Sequence, residues 1–178
     1  MNKNMSNCSY LLDTNVFIDA FNKYYSFDFG MVFWNFLEKK ASQKIICSIA
    51  KVLYEIKQRE DALKEWTIKH FDKYFHPTND NTTLKAYKNV AVCVKNKTKL
   101  SSRNDAYYTP NALNAFLAEN KADAWLIAYA YSHSQKLCIV TLEKPGGSKK
   151  VSIPDVCKDL GIPCIDTFQM LRNLNFKF

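Results

Sequence analysis

Apolar residues in this chain come in short runs between longer amphipathic stretches. The first run, Ser9-Tyr-Leu-Leu-Asp-Thr-Asn-Val-Phe-Ile18, climbs to a single carboxylate, Asp13, passes Thr14 and Asn15, and turns apolar again. This predicts a buried strand over 10–13 with a helix close behind it, near 15–22. A helix is expected over 29–40, a short strand over 44–47, and a helix over 49–59 whose core face is Ile49, Val52, Leu53 and Ile56. A further helix spans 62–74 and is broken by Phe75-His-Pro-Thr78. Residues 78–95 read as helix, 100–109 as a polar loop, and 110–120 and 121–132 as two helices. A strand over 136–141 leads into a flexible, glycine-containing loop over 143–150. A helix over 153–160 opened by Pro154, a strand over 163–165 and a helix over 167–174 complete the pattern. Strands alternating with helices, without hairpin signals, predict an α/β fold with a parallel sheet covered on both faces. No internal repeat or linker divides the chain, so residues 1–178 read as a single domain.

Four carboxylates fall at positions where chemistry can sit. Asp13 ends a predicted strand, where sites form in open α/β sheets; an Asp before a helix is also a common N-cap. Glu55 flanks the apolar stripe of the helix after the second strand, and reads either as a site acid or as an ordinary surface Glu. Asp123 is the only charged residue from 122 to 131. At the start of so apolar a helix, it is either a partner of the helix dipole or a metal ligand. In Leu137-Cys-Ile-Val-Thr-Leu-Glu143 a strand again delivers an acid, two positions after Thr141; the alternative is a loop Glu beside Lys144. Brought to one sheet edge, four carboxylates cannot all stay ionised without cations. Mg²⁺ or Mn²⁺ would resolve that conflict with oxygen ligands, and such ions activate water for in-line displacement at phosphate.

Composition narrows the setting. The 178 residues are 47% hydrophobic and 14% aromatic, which suits a globular domain with a substantial core. No apolar run is long enough to cross a bilayer, and the polar first residues lack a signal-peptide core, so no membrane association and a cytoplasmic location are expected. Six cysteines, at 8, 47, 93, 138, 157 and 164, form no Cys-x-x-Cys pair and read as reduced thiols. His70, His76 and His133 lack metal-ligand spacing. Lys and Arg outnumber Asp and Glu by 25 to 17. Lys85, Lys88, Lys95, Lys97, Lys99 and Arg103 fall in a stretch without acids, and Lys144-Pro-Gly-Gly-Ser-Lys-Lys150 forms a second cluster. Each is either a solvated face or a surface that tracks phosphates.

At Leu11-Leu-Asp-Thr-Asn-Val-Phe-Ile18, the helix bearing Glu55, Asp123-Ala-Trp-Leu-Ile-Ala-Tyr-Ala130 and Val140-Thr-Leu-Glu143, the chain resembles the PIN-domain family of metal-dependent nucleases. The tail from Lys149 to Cys164, followed by Thr167-Phe-Gln-Met-Leu171, looks like that of a PIN-like bacterial subgroup discussed beside VapC-type toxins. The resemblance implies a Rossmann-like three-layer α/β/α fold with a central parallel sheet. It also implies Mg²⁺- or Mn²⁺-dependent endoribonuclease activity, homodimers, and inhibition by a cognate antitoxin. Carried over, Asp13, Glu55 and Asp123 are the core metal ligands, while Thr14 or Asn15, together with Thr141, orients ligands and water. Glu143 stands where the family more often has Asp, and would reach a metal directly or through water. The segment between Glu55 and Asp123 is longer than in a minimal toxin-like PIN domain. Three rivals stay open. A haloacid-dehalogenase-type phosphatase needs a second Asp where this chain has Asn15. The others are a non-catalytic RNA- or protein-binding module and a nuclease acting on DNA.

Overall fold

The structure, a computed structural model, describes residues 9–99, 108–133 and 137–177. The loop expected over 100–109 lies outside the described residues except for Tyr108 and Thr109, as do the polar residues 1–8 and position 136. The strands are β1 (Tyr10–Leu12), β2 (Ile46–Ile49), β3 (Phe75–His76), β4 (Cys138–Val140) and β5 (Cys164–Ile165). They form one sheet in the order β3-β2-β1-β4-β5, and every pairing is parallel. The register sets Tyr10 opposite both Ile46 and Cys138. Leu11, Leu12, Ile49, Ile139 and Val140 are fully buried, as expected of strands covered on both faces.

The described residues hold nine α-helices: α1 (Thr14–Asp19), α2 (Met31–Ser42), α3 (Ala50–Lys57), α4 (Ala62–Trp66), α5 (Asn81–Lys99), α6 (Pro110–Phe116), α7 (Asp123–Ser132), α8 (Ile153–Leu160) and α9 (Thr167–Asn173). One set packs together through α1, α2, α3 and α4; a second comprises α5, α7 and α8, with α7 lying on β2 and β4. The result is the expected Rossmann-like three-layer α/β/α architecture. α7 is apolar all round and correspondingly buried, with Leu126, Ile127 and Ala128 at zero exposure. Opposite it, Phe17 meets Phe71 edge-on at 5.3 Å, and Trp34 meets Trp66 at 4.8 Å. No helix among the described residues is long and apolar enough to cross a membrane.

Local physics explains where elements and expectations part. β2 runs over Ile46–Ile49 instead of 44–47, because Lys44 takes a left-handed turn (φ 59°) that ends the approach from α2. The helix expected over 62–74 is α4 followed by a π-helical turn, Thr67–Phe71, and a 3₁₀ turn, Asp72–Tyr74. Phe75-His76, expected only as a helix breaker, is the edge strand β3. α8 matches its expected span. Ser152 caps its start, and Gly161 ends it in the left-handed conformation (φ 66°) that glycine adopts without strain.

The strand order creates the site. From β1 the chain steps outward in one direction to β2 and β3, then returns across the sheet to β4 and β5. The segments leaving β1 and β4, adjacent strands, therefore diverge and open a crevice at the strands' carboxyl ends.

Candidate functional site

A cleft of about 360 Å³ occupies that crevice, and all four acids line it: Asp13, Glu55, Asp123 and Glu143. Lys121, Lys149 and Lys150 line it as well. Positions far apart in sequence thus meet at one place. Asp13 follows β1 directly, Glu55 sits on α3, Asp123 opens α7, and Glu143 follows β4.

Asp13 is the buried centre, only 3% exposed. Its Oδ1 accepts from the Thr14 amide at 2.6 Å, so it does cap α1. Its Oδ2 accepts from Asn15 Nδ2 at 2.5 Å and from Thr141 Oγ1 at 2.8 Å. Asn15 also donates to Thr141 Oγ1 at 2.9 Å and accepts from the Leu142 amide at 2.8 Å. The Thr141 hydroxyl accepts in addition from the Glu143 amide at 3.1 Å. Asn15 and Thr141 therefore lock the end of β4 onto the end of β1 and fix the Asp13 carboxyl in one orientation.

Glu55 is half-buried and bridges two helices, which the surface-Glu reading did not anticipate. Its Oε2 accepts from Thr14 Oγ1 at 2.5 Å, and its Oε1 from the Ala122 amide at 3.0 Å, at the start of α7. This carboxylate supplies an acceptor for one of the orphan N–H groups of that helix terminus. Beside it, Asp123 accepts no hydrogen bond among the described residues.

Glu143 is held by the loop after it. Lys150 Nζ donates to its Oε1 at 2.5 Å, and the Ile153 amide, first in α8, donates to its Oε2 at 2.9 Å. The loop expected to be flexible is pinned at several points. The Gly146 amide donates to Asp155 Oδ2 at 2.8 Å, the Lys150 amide to the Gly147 carbonyl at 3.0 Å, and the Thr109 amide to the Ser148 carbonyl at 2.8 Å. A Cβ at Gly146 would collide with the Lys150 carbonyl, so this tight approach requires glycine. Glu143→Ala is expected to destabilise the protein by about 1 kcal/mol, because α8 loses an anionic acceptor at its first amide. Urea denaturation checks this, and an unchanged midpoint would mean the contact carries no stability.

The electrostatics record the crowding. Burial first, and then the neighbouring Asp123, push the Asp13 carboxyl well above the usual carboxylate range, even though Thr141 and Thr14 hydrogen-bond its ionised form. Burial, followed by Glu143 and Glu55, raises Asp123 to about 6, against the pull of Lys150 and Lys121. The hydrogen bond to Glu143 raises Lys150, and Asp123 and Asp13 add to the effect. Lys150 thus acts as a tethered counter-charge for the acids.

Among the described residues, no three His, Cys, Asp or Glu side chains are grouped closely enough to hold a metal ion as they stand. The donor chemistry nevertheless fits a hard divalent ion: oxygen ligands only, mutually repelling, with Asp123 unpartnered at the cleft. Every expected site residue lies in or beside the cleft. Lys121 was not singled out from sequence, although it stands two positions before Asp123. Ala112, Ala115 and Phe116 of α6 also form part of the wall. The lysines expected to form a basic stretch lie on α5, outside this lining. Lys85, Lys88 and Lys95 are exposed, while Lys97 pairs with Asp159 at 2.6 Å.

Fold and site together define a class: a three-layer parallel-sheet protein with an acidic, lysine-rimmed cleft at the topological switch point. The chain belongs to the family described as a domain of unknown function, DUF4411, which matches residues 10–178. No curated protein and no solved structure matches it.

Proposed function

We propose that this protein is a metal-dependent endoribonuclease that hydrolyses RNA phosphodiester bonds in the acidic cleft. The observation that carries the reading is the convergence of four separately encoded carboxylates, rimmed by three lysines, on one cleft at the switch point. The resemblance to PIN domains supports it. Asp13 and Asp123, helped by Glu55, would hold Mg²⁺ or Mn²⁺. When bound, the ion supplies an activated water and stabilises the leaving oxygen. Asn15 and Thr141 keep the Asp13 carboxyl aimed into the cleft. Lys121, Lys149 and Lys150 attract the RNA backbone, and Glu143 holds Lys150 at the rim. The reading places the protein in the cytoplasm. By analogy with VapC-type toxins, it adds a cognate antitoxin and a homodimer as partners.

The test is cleavage of a mixed RNA pool with Mg²⁺ or Mn²⁺, with and without chelator. Cleavage that the chelator stops is the expected result. A folded, metal-binding protein that cuts no RNA overturns the assignment of substrate. One observation favours a non-catalytic RNA- or protein-binding module instead: Lys150, Thr14 and two backbone amides already engage the oxygens of Glu143 and Glu55. In that case Mn²⁺ adds no thermal stability, whereas an ion bound only by the native state must add some.

A further inference from the structure

A second hollow, of about 300 Å³, lies beside the acidic cleft and plays no part in the roles given above. Ala50, Lys51 and Tyr54 at the α3 end, Thr78, and the turn residues Glu119 and Asn120 line it. The two cavities draw on neighbouring residues of the same segments. Lys51 lies one helical turn before Glu55 on the same side of α3, about 6 Å along the axis. The turn that contributes Glu119 and Asn120 to the hollow contributes Lys121, the next residue, to the acidic cleft. The Ala122 amide, bonded to Glu55 at 3.0 Å, fixes that turn against α3.

The lining has the chemistry of a base-binding site. Tyr54 is 51% exposed, so about half of this large aromatic residue is open to solvent. Lys51 is held in place: its Nζ donates to the Glu119 carbonyl at 2.9 Å and stands 5.2 Å from the centre of the Trp125 ring. Trp125 is itself stacked on Tyr87 at 4.2 Å. The Asn120 amide makes no hydrogen bond among the described residues, so both its donor and its acceptor face solvent. A planar aromatic platform, a positioned cation and a free amide suit a nucleobase whose phosphate runs toward the lysines of the neighbouring cleft.

We propose that this hollow is a nucleobase subsite, in which Tyr54 stacks the base of a nucleotide next to the phosphodiester held at the acids. The proposal rests on the reading of the acidic cleft as a phosphodiester site, but the hollow can be tested separately. The probe is a fluorescent single-stranded oligoribonucleotide bound to the Asp13→Asn protein in Mg²⁺, so that the strand stays intact. Adding Tyr54→Ala should weaken binding by about 5- to 100-fold, while Tyr54→Phe, which keeps a stacking face, stays within about 3-fold. The Mn²⁺-induced rise in melting temperature, measured with Asp13 restored, should be the same for Tyr54→Ala as for wild type. Equal affinities for the Ala and Phe variants overturn the subsite and leave Tyr54 to a protein partner. Absence of oligoribonucleotide binding also overturns it. Failure of the nuclease reading shows differently: wild type without metal-dependent cleavage, but with Tyr54-dependent binding, keeps the subsite and loses the enzyme.

Discussion

Replacing Asp13 by Asn is expected to lower RNA cleavage by at least about a thousandfold and, at neutral pH without metal, to raise the melting temperature. The first effect follows from losing the central anionic donor. Metal-ion catalysis contributes several kcal/mol to transition-state stabilisation, and about 1.4 kcal/mol corresponds to a factor of ten. The second follows from burial. Asp13 is 3% exposed and its charge is opposed first by desolvation and then by Asp123. Asn caps a helix about as well as Asp and its oxygen can keep the bond from the Thr14 amide without the charge, while its amide nitrogen, standing in for Oδ2, gives up the bond accepted from Asn15. A gain in stability with a loss of activity is the signature of a site kept for function. Unchanged cleavage would make Asp13 a structural cap and nothing more, and a lower melting temperature would mean that the bond given up to Asn15 outweighs the relief of the buried charge.

Without metal, stability should fall as pH rises from about 4 to about 6.5, and Mn²⁺ should reverse the trend at pH 7.5. Asp123 titrates near 6 in the folded state, raised by burial and then by Glu143 and Glu55. Between its ordinary value of 3.8 and that point, the folded protein holds a proton that the unfolded chain has released. Stability is therefore present below the window and lost on rising through it. The loss is on the order of 1–2 kcal/mol, because water partly screens the half-buried Asp123. Asp13 is shifted in the same direction. His76, lowered by burial and then by His133, opposes the slope, since its neutral folded form gains stability as pH rises. Comparison with Asp123→Asn isolates the acid: its melting curve should lose the downward component. Mn²⁺ at a hundredfold excess over its dissociation constant should add about 2.7 kcal/mol to wild type, and much less at pH 5, where protons compete for the carboxylates. Wild type and Asp123→Asn sharing one pH profile would show that neither burial nor its neighbours hold the Asp123 carboxyl above its ordinary range.

What was legible in the sequence is what local pattern controls. Asp13 and Asp123 stand out because each is a lone charge in an apolar setting, and the strand–helix alternation sufficed for the parallel three-layer fold. Glu55 was not legible as a bridge. Its partners, Thr14 and the Ala122 amide, lie 41 and 67 residues away, and only docking of α3 against α1 and α7 brings them together. β3 escaped notice because two residues carry no periodicity and Pro77 follows them. Glu143 was read from its strand-end position, but Lys150 and the start of α8 decide where its oxygens point. The Tyr54 hollow could not be seen at all, since a turn 65 residues further along the chain makes its other wall.

The two outer strands of the sheet have a consequence for self-association. β3 and β5 are each two residues long. Pro77 follows the first and Pro163 precedes the second, and neither prolyl nitrogen can donate a ladder hydrogen bond. Neither rim offers a row of open backbone groups onto which another copy could zip. Growth of the sheet from one molecule into the next is thereby blocked at both rims, and the acidic clefts stay clear of any continuous intermolecular β-structure.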